Sequence, residues 1–275
     1  MEKICQVCMH QCRLKPGQWG ICRARKNEDG ELICKNYGQV SSLALDPIEK
    51  KPLRRFYPGS KILSVGSFGC NLRCPFCQNH EISMIKPEMS EDHYLSPEEL
   101  ADIAIKCQEK GNIGVAFTYN EPLIGWEYVL DTAKLVKSAG MKNVLVTNGT
   151  ASPEILKRLL PYIDAMNIDL KGFWDEYYRK LGGSLSVVKE FIEGAAAGCH
   201  VELTTLIVPG ENDSIQEMEE EARWIASLDS EIPLHISRFF PRYQMSDKTA
   251  TKVENVYSLA DTAGKYLKYV YTGNC

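Results

Sequence analysis

From about residue 61 onward, short apolar segments alternate with longer amphipathic ones. This alternation is the pattern of strands followed by helices. Between the apolar segments lie helix starts such as Ser96-Pro97-Glu98-Glu99, in which a serine cap precedes proline at the first helical position. The pattern predicts right-handed crossovers and a parallel sheet, and it favours an α/β fold with a full or partial TIM-like barrel over a Rossmann sheet. The predicted strands are 61–67, 113–118, 143–147, 165–170, 201–208, 234–238 and 269–272.

Three further starts resemble the one at Ser96. Ser152-Pro153-Glu154 places proline at the start of a predicted helix, and both Ser214 with Glu217 and Thr251 with Glu254 have the capping-box spacing. We therefore expect helices to begin at each of these positions.

The first 57 residues have a different pattern, with short segments separated by glycines and too little apolar sequence for a core of their own. A staple or docking onto the rest of the chain is therefore expected. Prolines 47, 52 and 58 mark the passage into the main unit. We divide the chain into a cysteine-rich N-terminal segment, 1–57, with a candidate metal site, and a barrel domain, 58–275.

Composition narrows the function classes. Of the 275 residues, 44% are hydrophobic and 25% charged, as in ordinary globular proteins, and the net charge of −4 argues against a nucleic-acid surface. No apolar run approaches the roughly 20 residues of a membrane span, and the N-terminus has no signal-peptide core. We predict a cytoplasmic protein without membrane or nucleic-acid partners. Eleven cysteines without an export signal favour metal binding over disulfides.

The most informative motif is Cys70-Asn-Leu-Arg-Cys74-Pro-Phe-Cys77, which directly follows the first predicted strand. Its spacing, C-x3-C-x2-C, supplies three thiolates from one loop, one fewer than a four-coordinate metal or an iron–sulfur cluster uses. The open position can accept a substrate or cofactor, so the motif indicates a reactive centre.

Polar residues also follow the other predicted strands. In a parallel barrel the carboxyl ends of the strands meet at one mouth, where the chemistry gathers. Each group has a structural explanation, such as a turn at Asn-Gly, a barrel ion pair or a hydrogen-bonded histidine, but together they predict one polar cavity beside the cysteine loop. The groups are Thr118–Pro122, Thr147-Asn148-Gly149, Asn167 with Asp169 and Lys171, Val208–Asp213, and His235 with Ser237 and Arg238.

The motif resembles that of the radical SAM superfamily, in which C-x3-C-x2-C follows the first strand of a partial (β/α)6 barrel and an aromatic residue, here Phe76, precedes the last cysteine. The resemblance implies that Cys70, Cys74 and Cys77 ligate a 4Fe-4S cluster whose fourth iron binds S-adenosylmethionine (SAM). One-electron reduction then yields a 5′-deoxyadenosyl radical that abstracts hydrogen from a substrate. The implied electron donor is a flavodoxin or ferredoxin, and the resemblance assigns no catalytic residue beyond the cofactors.

The resemblance also assigns SAM-binding positions. Where the superfamily usually has Gly-Gly-Glu-Pro, this chain has Tyr119-Asn120-Glu121-Pro122, with both glycines replaced. Lys171 and Arg238 are expected near the SAM carboxylate or the substrate, and His235 near the adenosine. The implied cofactor-binding set is Phe76, Asn120, Glu121, Thr147, Asn148, Asp169, Lys171, His235 and Arg238.

Segments along nearly the whole chain are most similar to the radical SAM enzymes of the AmmeMemoRadiSam system, which are related to pyruvate formate-lyase activating enzyme; among them are 17–25, 46–53 and 235–243. This similarity leaves the substrate open, as a small molecule or a protein. One alternative is a glycyl-radical activase acting on a backbone glycine. A remote alternative is a non-catalytic zinc module in which both cysteine groups are structural.

The N-terminal cysteines form a second group, Cys5, Cys8, Cys12 and Cys22, with the spacing C-x2-C-x3-C-x9-C. Four thiolates suffice for a closed site, and structural zinc or an auxiliary iron–sulfur cluster fits equally well by count. Metal binding would supply folding free energy to a segment that lacks its own core. The alternative is a reduced segment without metal, held by docking alone. His10 could replace one cysteine.

Overall fold

The computed structural model describes residues 1–85 and 93–275. Its strands are β1 (Lys3–Ile4), β2 (Arg13–Leu14), β3 (Arg25–Glu28), β4 (Glu31–Cys34), β5 (Gln39–Val40), β6 (Ser42–Pro47), β7 (Lys61–Gly66), β8 (His93–Tyr94), β9 (Asn112–Phe117), β10 (Lys142–Thr147), β11 (Ala165–Asp169), β12 (His200–Ile207), β13 (Leu234–Arg238) and β14 (Val270–Gly273). Its helices are α1 (His80–Ser83), α2 (Pro97–Lys106), α3 (Trp126–Ser138), α4 (Pro153–Leu159), α5 (Asp175–Lys180), α6 (Leu185–Ala196), α7 (Ile215–Leu228) and α8 (Val253–Ala263).

One sheet organises the molecule, in the order β14-β13-β12-β11-β10-β9-β7-β6. Seven of these strands, β7 and β9 to β14, run parallel, and helices connect each to the next. The predicted α/β partial barrel is confirmed, and each of the seven predicted strands corresponds to one observed strand. The sheet also has an eighth strand, β6, which pairs antiparallel with β7.

The two faces of the sheet differ in chemistry because successive side chains on a strand alternate between faces. One face packs with the helices in the main apolar core, which includes Leu63, Phe117 and Leu203. The other face, inside the barrel, carries buried polar residues, including Asn167 on β11 and Glu202 on β12. Polar groups buried inside the barrel require hydrogen-bond partners, and this requirement shapes the amino-terminal end of the barrel.

Residues 48–56 close the amino-terminal end of the barrel. Ile48, Leu53 and Phe56 are buried in a cluster with inward-facing residues of β7 and β9–β11. In the same segment, the backbone amides of Arg54 and Arg55 donate to the Glu202 carboxylate at 2.9 and 2.7 Å. The segment therefore forms a floor held by both apolar packing and a buried carboxylate.

The first 57 residues fold against the barrel. They form the hairpins β1–β2 and β3–β4 and contribute β6 to the main sheet. Arg25 forms a bidentate ion pair with Glu127 of α3, at 2.6 and 2.7 Å. Docking of this segment agrees with its small apolar content, while the boundary at residue 57 stays a prediction.

Three of the four predicted helix starts are confirmed. Ser96 forms a complete capping box with Glu99, Ser214 accepts from the Glu217 amide, and α4 begins at Pro153. The capping box at Thr251 was wrong, because α8 begins at Val253 with Lys252 at its cap. The Thr251 hydroxyl instead donates to the Ile207 carbonyl at 2.6 Å, so it joins β12 to the loop before α8.

Candidate active site

The cysteine loop leaves the carboxyl end of β7 and leads into α1. Cys74 is buried, and Cys70 and Cys77 are half-buried. Donors approach two of the sulfur atoms. The Leu72 amide and the Asn148 side chain lie 3.4 and 3.7 Å from Cys70 Sγ, and the Ser83 hydroxyl lies 3.2 Å from Cys77 Sγ. Hydrogen bonds to the sulfur atoms stabilise thiolate ligands and adjust the reduction potential of an iron–sulfur cluster.

The thiols of this loop lie in a medium of low polarity. Burial raises the pKa of Cys74 to about 11, although the Lys171 charge opposes this shift. Burial, together with the nearby Glu121 carboxylate, raises the pKa of Cys70 further. Binding of iron would therefore have to displace a proton from each of these thiols.

Phe76 belongs to an apolar wall beside the loop. Together with Leu72 and Cys74 it packs against Tyr177, Val208, Phe239 and other residues in a separate core cluster. Three free thiols beside an apolar wall, one fewer than the four ligands of a cluster, fit an iron–sulfur cluster that binds a further ligand. A direct contact between Phe76 and SAM stays a prediction.

At the end of β9, Tyr119 and Asn120 occupy the positions of the two usual glycines. Tyr119 has φ +71°, the left-handed conformation that normally favours glycine. Its hydroxyl donates to Asp46 Oδ2 at 2.7 Å, and Lys51 Nζ lies 2.9 Å from the same oxygen. The Asn120 amide donates to the Phe68 and Gly69 carbonyls at 3.1 and 3.2 Å. These bonds hold the left-handed backbone at Tyr119, which Asn120 does not share.

Glu121 connects two strand ends. Its buried carboxylate accepts from the Thr147 hydroxyl at 2.7 Å and from the amides of Asn148 and Leu123 at 2.8 and 3.0 Å. Burial raises the pKa of Glu121 to about 7. Because these three donors occupy both carboxylate oxygens, the side chain fixes the β10 end relative to β9. Contact of Glu121 with SAM stays a prediction.

Asn148 carries the connection on to the cysteine loop. Its amide nitrogen donates to Asn71 Oδ1 at 2.9 Å, in addition to its contact with Cys70 Sγ, and its oxygen accepts from the Thr150 hydroxyl at 2.6 Å. The chain of contacts Glu121–Asn148–Cys70 therefore joins three neighbouring strand ends at one edge of the sheet.

Asp169 and Lys171 form an ion pair at the end of β11, with 2.6 Å between Lys171 Nζ and Asp169 Oδ2. The Lys171 charge acts on Cys74, and the Asp169 charge acts on both Cys74 and Glu121. The pair therefore lies at the same mouth as the cysteine loop, as the sequence predicts. The Asp169 side chain is 31% exposed, so it faces the open side of the mouth.

The structure does not bring His235 and Arg238 into this group of contacts. His235 is buried inside the barrel, where its Nε2 lies 2.6 Å from Glu202 Oε2. Arg238 Nε donates to the Thr251 carbonyl at 2.7 Å, and its guanidinium lies 4.7 Å from the centroid of the Phe240 ring. The expected contacts of both residues with SAM or substrate stay predictions.

Sequence reasoning missed Asn71 and Arg23. Asn71 Nδ2 donates to the Thr150 hydroxyl at 2.7 Å, and its carbonyl lies 2.8 Å from His10 Nε2. Arg23 donates to the carbonyls of Cys70 and Ser83. Both residues adjoin a cysteine in the sequence, and that proximity was the only available signal.

The four N-terminal cysteines lie near one another. Cys5 N donates to the Cys12 carbonyl at 3.0 Å, across the β1–β2 hairpin. Burial, chiefly, with smaller effects of the Cys22 and Cys5 charges, raises the pKa of Cys8 to about 11. All eleven cysteines are free thiols. Within residues 1–85 and 93–275, no group of three or more His, Cys, Asp or Glu side chains has the arrangement of a single-ion site.

Comparison with known proteins identifies the family. A family model described as the radical SAM superfamily matches residues 64–225. An uncharacterized protein of Methanocaldococcus jannaschii, MJ0808, is 40% identical over 98% of this chain and 80% of its own length. Pyruvate formate-lyase-activating enzyme of Clostridium pasteurianum is 26% identical over 58% of this chain and 67% of its own length.

The fold agrees with these matches. The crystal structure of Streptococcus suis SuiB bound to S-adenosylmethionine superimposes with a TM-score of 0.60 at 14% identity, covering 75% of this chain and 48% of SuiB. The chain belongs to the radical SAM superfamily, whose members are enzymes that use a 4Fe-4S cluster and SAM. Within the described residues, no helix is long and apolar enough to cross a membrane.

Proposed function

We propose that this chain is a radical SAM enzyme in which Cys70, Cys74 and Cys77 hold the 4Fe-4S cluster. The observation that supports this most strongly is the joining of the cysteine loop to the ends of β9 and β10 through Glu121 and Asn148. When bound, the cluster and SAM supply one-electron cleavage of the sulfonium and a 5′-deoxyadenosyl radical that abstracts hydrogen from a substrate. The electron would come from a donor such as a flavodoxin or ferredoxin.

The chain's own residues would orient and shield this chemistry. Asn148 would donate to the Cys70 sulfur, and the apolar wall around Phe76 would exclude water from one side of the cluster. The Asp169–Lys171 pair, in which Asp169 is the more exposed partner, offers a carboxylate and an ammonium to the SAM amino acid or ribose. We assign no substrate hydrogen acceptor or donor among the side chains.

Anaerobic reconstitution tests the cluster assignment. Wild-type chain should carry about four more irons and four more sulfides than Cys74→Ala, because the variant lacks a ligand of the open cluster. Reductive SAM cleavage should be lost in the same variant. Cys199→Ala is the matched control, since Cys199 lies between α6 and β12, away from the loop. Full SAM cleavage by Cys74→Ala would contradict the assignment.

A glycyl-radical activase is the second candidate, supported by the similarity to pyruvate formate-lyase-activating enzyme. Such an enzyme abstracts hydrogen from a backbone glycine of a protein partner. A glycyl EPR signal on a candidate partner would support it, whereas transfer of deuterium from a small molecule into 5′-deoxyadenosine would favour a small-molecule substrate. A cytoplasmic location stays a prediction in either case.

We further propose a second metal at Cys5, Cys8, Cys12 and Cys22, either zinc or an auxiliary iron–sulfur cluster. Two observations support it: these thiols are close enough to act on one another's pKa, and Cys8 contacts Asn71 of the cysteine loop. Metal analysis of the Cys70→Ser, Cys74→Ser, Cys77→Ser triple variant would isolate this site. Retained zinc, or retained iron with sulfide, would identify the metal, and absence of both would contradict the site. Zinc without iron or sulfide in the wild-type chain would instead support the non-catalytic zinc module.

A further inference from the structure

Arg23 is the N-terminal residue that reaches the cysteine loop most directly. It follows Cys22 and has φ +62°, in the left-handed region. A non-glycine residue adopts this strained backbone only when its surroundings fix it there. The surroundings of Arg23 include the start of the cysteine loop at Cys70 and the end of α1 at Ser83.

One nitrogen of its guanidinium, Nη2, has three acceptors. It lies 3.2 Å from the Cys70 carbonyl, 3.0 Å from the Ser83 carbonyl and 3.1 Å from Met84 Sδ. Cys70 carries the first thiol of the loop, and the Ser83 hydroxyl lies 3.2 Å from Cys77 Sγ, the last thiol. The guanidinium therefore links the residue that carries the first thiol to the residue that contacts the last one.

Other contacts keep the N-terminal segment against the loop. A Cβ on Gly69 would lie 2.6 Å from the Cys22 carbonyl. The backbone just before Cys70 is therefore packed against the backbone just before Arg23. His10 Nε2 lies 2.8 Å from the Asn71 carbonyl. Arg23 thus has a fixed position relative to the loop.

The charge of Arg23 has a consequence for an iron–sulfur cluster. A guanidinium stays protonated at every pH of interest. Reduction adds one negative charge to a cluster, and a nearby positive charge in a medium of low polarity stabilises the reduced form. Removing the charge should therefore make the cluster harder to reduce.

We propose that Arg23 is a positioning residue of the cluster site that holds the start of the cysteine loop against the end of α1 and raises the reduction potential of the bound cluster. This inference rests on the proposed function, since it requires a cluster at Cys70, Cys74 and Cys77. It assigns to the N-terminal segment a role in the chemistry of the barrel.

The test compares three full-length variants after anaerobic reconstitution. Arg23→Gln removes the charge but keeps an amide donor. Arg23→Lys keeps the charge but loses the planar fork. Arg13→Gln is the matched control, because Arg13 is an exposed arginine of the same segment. The measurements are iron and sulfide content, the potential of the cluster by EPR-monitored redox titration, and the rate of reductive SAM cleavage with a fixed electron donor.

We expect the potential to be more negative in Arg23→Gln than in the wild type, and close to the wild-type value in Arg23→Lys and Arg13→Gln. SAM cleavage by Arg23→Gln should fall about tenfold, because a fixed electron donor would keep a smaller fraction of the more negative cluster in its reduced form. A normally loaded Arg23→Gln cluster at the wild-type potential would overturn the proposal. If Arg23→Gln folds but does not load while Arg23→Lys does, the positioning role is supported. If neither Arg23→Gln nor Arg23→Lys binds a cluster, a wild-type circular dichroism spectrum of Arg23→Lys supports the positioning role. A changed spectrum of Arg23→Lys overturns the proposal. A wild-type chain that binds no cluster would instead refute the proposed function.

Discussion

Glu202 offers the sharpest test of what stabilises the amino-terminal end of the barrel. Its carboxylate is fully buried and accepts from the amides of Arg54 and Arg55. Two imidazoles also contact it, with His200 Nε2 at 2.9 Å and His235 Nε2 at 2.6 Å. Glu202→Gln would leave one acceptor oxygen and place an amide NH2 among groups that donate.

The magnitude follows from the ionisation of this carboxyl. Burial acts to raise its pKa, but the hydrogen bonds from the two histidines and the two amides outweigh burial and hold the pKa at about 2, against an ordinary 4.5. A difference of about 2.5 units corresponds to a contribution of roughly 3 kcal/mol to the free energy of unfolding. Because the folded pKa is the lower one, this contribution is fully present above pH 4.5 and is lost as the pH falls towards 2.

The assay is anaerobic urea denaturation followed by far-UV circular dichroism, at several pH values between 7 and 3. We expect Glu202→Gln to unfold with about 3 kcal/mol less free energy than the wild type at pH 7, and the difference to fall below about half of that value at pH 3. Glu231→Gln, at an exposed ion pair with Lys268, is the control and should show no such dependence. A difference that stays constant from pH 7 to pH 3 would refute the reasoning.

Two further substitutions test the contacts around the cysteine loop. Gly69→Ala would place a methyl group 2.6 Å from the Cys22 carbonyl at φ +88°, so we expect a loss of about 3 kcal/mol in urea denaturation and reduced iron loading. Gly17→Ala, at φ +83° in open space, should cost only about 1 kcal/mol, and equal losses would contradict the steric argument. Tyr119→Phe removes the hydroxyl that donates to Asp46, so it should lower the free energy of unfolding by about 1.5 kcal/mol. Unchanged stability would show that the hydroxyl bond is not needed to hold the left-handed backbone.

The seven parallel strands could be predicted because each is a short apolar run between recognisable helix starts. Ser96 and Ser214 cap their helices through local hydrogen bonds that depend only on nearby residues. Thr251 has the same spacing, but its hydroxyl bonds Ile207, a residue 44 positions away. A tertiary contact therefore outweighed the local pattern.

In the candidate site, too, some features follow from the local sequence and others from tertiary contacts. The C-x3-C-x2-C spacing predicted the three thiols, and the parallel topology placed Asn148 and Lys171 at the same mouth. His235 also lies on a barrel strand, but it is near the beginning of β13 and contacts Glu202. Its depth in the barrel follows from strand register, which the sequence of one strand does not specify.

By itself, the sequence determined the class of fold, the family signature in the cysteine loop and the separation of the cysteines into two groups. These features depend on local spacing and on the alternation of apolar and polar residues. Only the tertiary structure decided that Tyr119 adopts a glycine-like backbone and that Arg23 contacts both Cys70 and the end of α1. Both depend on contacts between residues 47 to 73 positions apart in the sequence, which form only when the N-terminal segment packs against the barrel.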